Sequence, residues 1–243
     1  MRYFVLSDIH SNIEALAASA RRAKDLGYDQ VLCCGDLVGY GPSPAEVMDA
    51  LDELKAITIR GNHDRVVSGL DEPIHFNVAA KRAVDWTRNE LSESYRQRLA
   101  ELQTGPVQIT ENARLVHGSA RDEDEYVVTQ HDALVNLALP GPRITFFGHT
   151  HEAGVYTRTV HWQPSYEADG SARLHIPADK ILVNPGSVGQ PRDGDPRTSF
   201  LIWDDDQSLL EFHRVEYPVA TTQARMRDAQ LPDFLITRLV LGR

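Results

Sequence analysis

Five short polar motifs, each directly after an apolar run of strand length, constrain this chain more than any bulk property. Asp8 and His10 follow Tyr3-Phe4-Val5-Leu6, and Asp36 follows Val31-Leu32-Cys33-Cys34-Gly35. Asn62, His63 and Asp64 come after Ala56–Ile59 and Gly61. His117 follows Arg114–Val116, and His149 and His151 follow Ile144–Phe147 and Gly148. Apolar and β-branched runs bounded by Gly, Asp or Asn read as strands. In an open α/β sheet, ligands bind beyond the carboxyl ends of the strands. Asp8, Asp36 and Asn62 are therefore expected on one rim, with His117 and His149 completing it from later strands.

Helical spacing fills the gaps between the first strands. Ile13, Leu16, Ala17, Ala20 and Ala23 keep one face apolar, Ser11 and Glu14 have capping-box spacing, and Gly27 is a natural stop. Ser43-Pro44-Ala45-Glu46 opens a second helix with proline at its first position, and Val47, Leu51 and Leu54 line its face. This βαβαβ opening predicts a parallel sheet with right-handed crossovers. Two helices are expected between Phe76 and Leu102, the second starting at Ser92. Beyond Val107 the strands come closer together: Val107–Ile109, Arg114–Val116, Ile144–Phe147, Val155–Val160, Arg173–Ile176, Ile181–Val183, Phe200–Trp203 and Leu209–Val215. Close spacing predicts a largely antiparallel second half. Helices are expected over Ala133–Leu139, Val219–Ala229 and Phe234–Leu241. No Gly/Ser- or Pro-rich linker divides the chain, so a single domain over 1–243 is expected. Its fold class is α/β of mixed type: two packed mixed β-sheets flanked by helices.

The 243 residues are 42% hydrophobic, enough for a sizeable core. The formal charge of −10 argues against general nucleic-acid binding and anionic membranes. It leaves room for a phosphorylated substrate, because bound cations reverse the local potential. The adjacent Cys33 and Cys34 read as two buried thiols in a strand. No apolar stretch reaches membrane-spanning length, and a cytoplasmic location is expected.

The seven candidate ligands are Asp8, His10, Asp36, Asn62, His117, His149 and His151. Carboxylate, amide oxygen and imidazole suit Mn²⁺, Fe²⁺, Ni²⁺ or Zn²⁺. Four histidines argue against magnesium, and the lack of thiolate ligands argues against a structural zinc site. Seven ligands exceed one tetrahedral shell, so two divalent ions are the economical reading, and Asp36 is the natural bridge. Two ions about 4 Å apart can hold a hydroxide and neutralise phosphoryl oxygens during in-line attack. His63 can protonate the leaving oxygen or stabilise the transition state, and Asp64 can orient the His63 ring and raise its pKa. The charged run Arg121–Glu125 reads as a solvated loop.

In this order the motifs resemble those of the calcineurin-like metallophosphoesterase superfamily, and Asn184-Pro185-Gly186-Ser187 extends the match. The small prokaryotic, phosphodiesterase-like branch is the closer resemblance, through Asp36–Gly41 and Asn184–Asp195. The resemblance implies a sandwich of two mixed sheets. It implies one metal held by Asp8, His10, Asp36 and His151, and a second by Asp36, Asn62, His117 and His149. It also implies a catalytic His63.

One departure bears on the substrate. Phosphoprotein phosphatases of this superfamily carry Asp and Arg where Gly39 and Tyr40 stand here. Loss of that guanidinium favours a phosphodiester or nucleotide over a phosphoprotein. Arg192, or Arg197, can supply a replacement cation; the bland reading of both is an arginine paired with Asp193 or Asp195. The expected activity is hydrolysis of a small phosphorylated substrate, a phosphodiester first. The alternatives are a phosphomonoesterase, a nucleotide pyrophosphohydrolase, or a non-catalytic scaffold like the retromer subunit of this fold.

Overall fold

A computed structural model describes residues 1–243. Its first two strands are buried on both faces, which is why they read as continuous apolar runs. Strand β1 (Arg2–Leu6) sends Tyr3 and Val5 to one side and Phe4 and Leu6 to the other. Strand β2 (Gln30–Cys33) divides likewise, so the neighbouring thiols of Cys33 and Cys34 enter different clusters and stay free. Helices α1 (Ile13–Leu26) and α2 (Pro44–Glu53) are the crossovers to β2 and to β3 (Ile57–Thr58), and β1, β2 and β3 pair in parallel, as expected.

Later strands complete both sheets. Strand β11 (Thr198–Asp204) adds antiparallel to β1, and β12 (Leu209–Val215) and β9 (Ser171–His175) follow in successive antiparallel pairs, giving the order β3-β2-β1-β11-β12-β9. The second sheet is built from β4 (Val107–Thr110), β5 (Ala113–Leu115), β6 (Ile144–Phe146), β7 (Gly154–Tyr156), β8 (His161–Trp162) and β10 (Ile181–Asn184). Its order is β4-β5-β6-β10-β7-β8, with β5, β6 and β10 parallel. The fold is thus the sandwich of two mixed sheets that the motifs imply.

Between the sheets, Val5, Leu32, Phe146, Val183, Trp203 and Phe212 form one cluster. On the outer face of the first sheet, Phe4, Leu6, Phe200 and Ile202 pack against Leu16 of α1 and Met48 of α2. Each such large side chain contributes about 1.5–3 kcal/mol by leaving water. Helices α4 (Val78–Glu90) and α5 (Glu93–Ala100) match the expected positions, and α6 (Gln130–Leu137) starts three residues before the expected Ala133, where Thr129 caps it. Helices α7 (Val219–Asp228) and α8 (Asp233–Arg238) close over Tyr40 through Met226, Leu235 and Leu239.

Local expectations fail where two signals compete. Asn12, not Ser11, caps α1 by accepting from the Ala15 amide at 3.1 Å. The run expected over Val155–Val160 stops at Tyr156 and turns back into β8. The segment after β3 forms a helix, α3 (Asn62–Ser68), too short to show periodicity.

Candidate metal centre

All seven candidate ligands are buried and come together where the carboxyl ends of β1, β2, β3, β5 and β6 meet. One group of ligand atoms is drawn from Asp8, His10, Asp36 and His151, and another from Asp36, His117 and His149, each within 4.8 Å. Asp36 belongs to both. His10 Nε2 lies 3.5 Å from Asp36 Oδ2, and His117 Nε2 lies 3.4 Å from the same oxygen. Asn62 Oδ1 is 3.0 Å from His117 Nε2.

Five of these residues adopt left-handed backbone: Asp8 (φ 53°), His10 (48°), Asp36 (54°), His149 (65°) and His151 (62°). Non-glycine residues rarely enter this region, and strained conformations of this kind cluster at functional sites. Hydrogen bonds hold the loops there. The Ile9 and His10 amides donate to the Asp36 carbonyl at 2.8 and 3.0 Å, and the Gly189 amide and Ser187 Oγ donate to the Asp8 carbonyl at 3.0 and 2.8 Å. Asn184 Nδ2 donates to the Gly148 carbonyl at 3.0 Å and so shapes the His149–His151 loop. The stretch from Asn184 thus acts as a brace.

The donor set fits cations. Three histidines direct Nδ1 at backbone carbonyls: His10 to Val38 (3.1 Å), His117 to Cys34 (2.8 Å) and His151 to Gln190 (2.7 Å). A carbonyl only accepts, so Nδ1 carries the proton; the neutral rings of His10 and His151 therefore turn a lone pair on Nε2 inward, and His117 presents its Nε2 to Asp36 in the same sense. The backbone amide of His149 donates to Asp8 Oδ1 at 3.0 Å, while its own Nε2 is buried without a partner. A buried ring nitrogen left unpartnered in the same cluster as the Asp36 carboxylate is explained by positive charge between them.

The electrostatics agree. Burial pushes Asp8 up to about 7, with Asp36 adding repulsion. Burial would also raise Asp36, but the charge on His117 outweighs it and holds that carboxyl well below the usual range; burial would lower His117, yet Asp36 pulls it up to about 10, so this ring carries a proton that a bound cation would replace. Burial brings His149 down to about 3 and His10 and His151 well below their ordinary value, so these rings are neutral ligands at neutral pH. Burial likewise lowers His63 to about 4, against the pull of Asp36.

Two expectations need correction. Asp64 neither orients the His63 ring nor raises its pKa. Its Oδ1 accepts from the Leu37 and Val38 amides at 2.9 and 3.2 Å, and its Oδ2 from Gly61 at 2.9 Å. It caps α3 and ties that helix to the Asp36 loop. Nor is Arg121–Glu125 merely solvated: Glu123 bridges Arg60 and Arg65, and Asp124 also pairs with Arg65.

His63 stands beside the candidate ligands, its amide donating to Asp36 Oδ1 at 2.9 Å and its ring 4.8 Å from that of His10. Gly39 has φ 87° and lies flat against His63 Nδ1, where a Cβ would collide. Arg197 pairs with Asp195 at 2.6 Å, and Asp193 is taken by Arg214. Half-buried Arg192 has no carboxylate partner; its guanidinium lies 5.9 Å from the Tyr40 ring and donates to Gln190 Oε1 at 3.1 Å. Sequence reasoning missed Tyr126 and Phe76, whose rings lie 3.9 Å from His149 and 4.5 Å from His63. No periodicity or motif marks either residue.

Comparison with known proteins agrees with this geometry. The calcineurin-like phosphoesterase superfamily domain matches residues 1–208. A protein of Methanocaldococcus jannaschii is 33% identical over 250 residues, covering 98% of this chain and 97% of its own. The crystal structure of a metallophosphoesterase from Sphaerobacter thermophilus superposes with a TM-score of 0.88 at 37% identity, covering 100% of this chain and 99% of that one. A hypothetical protein of Pyrococcus horikoshii shares the fold with a TM-score of 0.81 at 20% identity, covering 100% and 98%. The chain belongs to the calcineurin-like phosphoesterase superfamily and has the architecture of its small prokaryotic metallophosphoesterases. This makes it a hydrolase of phosphoester bonds with a site for divalent metal. None of its helices is long and apolar enough to cross a membrane.

Proposed function

We propose that the protein is a phosphodiesterase whose residues 1–243 act as one domain around a dinuclear centre. Asp8, His10, Asp36 and His151 hold one cation, and Asp36, Asn62, His117 and His149 hold the other. The observation that carries this reading is the place of Asp36 in both clusters of ligand atoms. Its Oδ1 is fixed by the His63 amide, and its Oδ2 is shared between His10 and His117. The N/O donor set suits manganese, iron, nickel or zinc. Divalent cations supply Lewis acidity and a hydroxide nucleophile at neutral pH.

The chain's own residues position the ester. Arg192, cationic and without a carboxylate partner, binds a non-bridging phosphoryl oxygen. His63, neutral because it is buried, offers an N–H to the leaving oxygen. Tyr40 occupies the position where phosphoprotein phosphatases place a guanidinium, packing 4.5 Å from His10 and 4.4 Å from His63. One arginine matches the single charge of a diester better than the two charges of a monoester. The substrate is a small phosphorylated molecule, nucleotides included, and the free buried thiols support a cytoplasmic setting.

The test is metal content by elemental analysis, with rates on bis-p-nitrophenyl phosphate and p-nitrophenyl phosphate from the same preparation. Two equivalents of transition metal and a faster diester are expected. A much faster monoester overturns the diester preference, and a metal-free, inactive protein favours the scaffold.

A further inference from the structure

A cavity of about 430 Å³ opens beside the metal centre, with Asn62 and His149 in its wall. Its size falls within the range of small-molecule pockets, about 300–1,000 Å³. An ester held at phosphorus by the centre therefore has room here for its organic group.

The walls specify that group. Tyr126 lies against His149, with its ring tilted by 36°, and is 52% exposed. Ile74 is 72% exposed at the same cavity, and Phe76 closes the side nearest His63. These are apolar surfaces that the fold leaves wet although they border a buried polar centre.

The charges specify it further. Asp71, Glu72 and Asp124 lie in the lining, against Arg65 as its only arginine or lysine. That guanidinium is already bonded to Asp71, Glu123 and Asp124. The pocket is net negative. A further phosphate placed there, beyond the centre's own cations, would meet these carboxylates with no unpaired arginine or lysine in the lining, an unfavourable arrangement.

We propose that this cavity receives the organic arm of the phosphoester and selects a flat apolar arm, uncharged or cationic, over an anionic one. The inference rests on the phosphoesterase reading above and narrows it: aryl or base-like esters are substrates, and polyphosphate chains are excluded. Tyr126 and Ile74 bind the apolar face, and Glu72 with Asp71 repels anions.

Isothermal titration calorimetry of the metal-loaded protein tests it with three non-hydrolysable probes: methylphosphonate, phenylphosphonate and phosphonoacetate. Phenylphosphonate should bind about tenfold more tightly than methylphosphonate, as expected for taking one aryl face out of water. Its heat-capacity change should also be more negative. Phosphonoacetate should bind no better than methylphosphonate. In Ile74→Glu, at a position 72% exposed, the phenyl-to-methyl ratio should fall towards one, and Tyr126→Ala should lower it as well. Glu72→Lys should improve phosphonoacetate relative to methylphosphonate. A wild-type ratio near one, or a ratio unchanged in Ile74→Glu, overturns the inference and leaves the phosphoesterase reading intact. Failure of all three probes to bind overturns both.

Discussion

The Nε2 atoms of His10 and His151 face each other at 3.1 Å, deep in the site. Their Nδ1 protons are committed to the Val38 and Gln190 carbonyls, so neither ring in its neutral form has a second proton to share. Two lone pairs held this close repel unless a cation lies between or beside them. The carboxylates of Asp8 and Asp36, each 3.5 Å from one of these nitrogens, complete the argument. The loops hold the arrangement ready at the expense of five left-handed backbone conformations.

Removal of metal should therefore destabilise the fold as well as stop turnover. A cation present at about a thousand times its Kd contributes about 4 kcal/mol. For a chain of this length that corresponds to a fall of about 10 °C in Tm. Scanning calorimetry before and after verified chelation measures it. An unchanged Tm would count against a preformed carboxylate cluster.

His63 touches the candidate ligands without joining either group of ligand atoms. His63→Ala should lower kcat by about 10²–10⁴-fold with metal content near that of the wild type. Gly39→Ala should show a smaller loss of the same kind, because its Cβ would displace the ring. Elemental analysis beside steady-state kinetics decides the matter: loss of metal in His63→Ala would make this residue a ligand.

Much of the fold and the site was legible in the chain because strand ends place their residues by register. Asp8, Asp36 and Asn62 had to share a rim once β1, β2 and β3 were parallel. What stayed hidden depends on distant partners. Nothing near Asp64 announces that its oxygens go to the Leu37 and Val38 amides, twenty-odd residues away in sequence. The Tyr126–His149 stack joins two loops with no shared pattern. Ser11 and Asn12 are both good caps, and only the left-handed Ser11 (φ 54°) leaves the task to Asn12. Helix α3 is seven residues long, less than the window in which periodicity shows.

The hydrogen bonds of Asp64 make Asp64→Asn informative. An amide of the same shape presents a donor to one set of amides that already donate, at a cost of about 1–3 kcal/mol. The Asp36 loop should loosen, so metal affinity and Tm should fall while turnover per bound metal is retained. Metal titration followed by calorimetry reads both quantities. Full metal occupancy with a kcat loss as large as that of His63→Ala would instead place the carboxylate in the chemistry.

Far from the site, His213 on β12 is 2% exposed, with its ring stacked 5.2 Å from Phe200 and its Nε2 unpartnered. Burial lowers its pKa to about 4, against the pull of Glu211. The unfolded chain, titrating near 6.5, takes up this proton first as pH falls. The stability His213 contributes is thus fully present above pH 6.5 and is lost as pH drops towards 4. Between pH 7 and pH 5 the loss should amount to about 2 kcal/mol. Metal ligands titrate in the same window, so the comparison must be with His213→Gln under identical metal loading. Denaturant midpoints at the two pH values should fall less in the variant. Equal falls in both proteins would mean that the buried ring takes up its proton in the folded state as readily as in the unfolded chain.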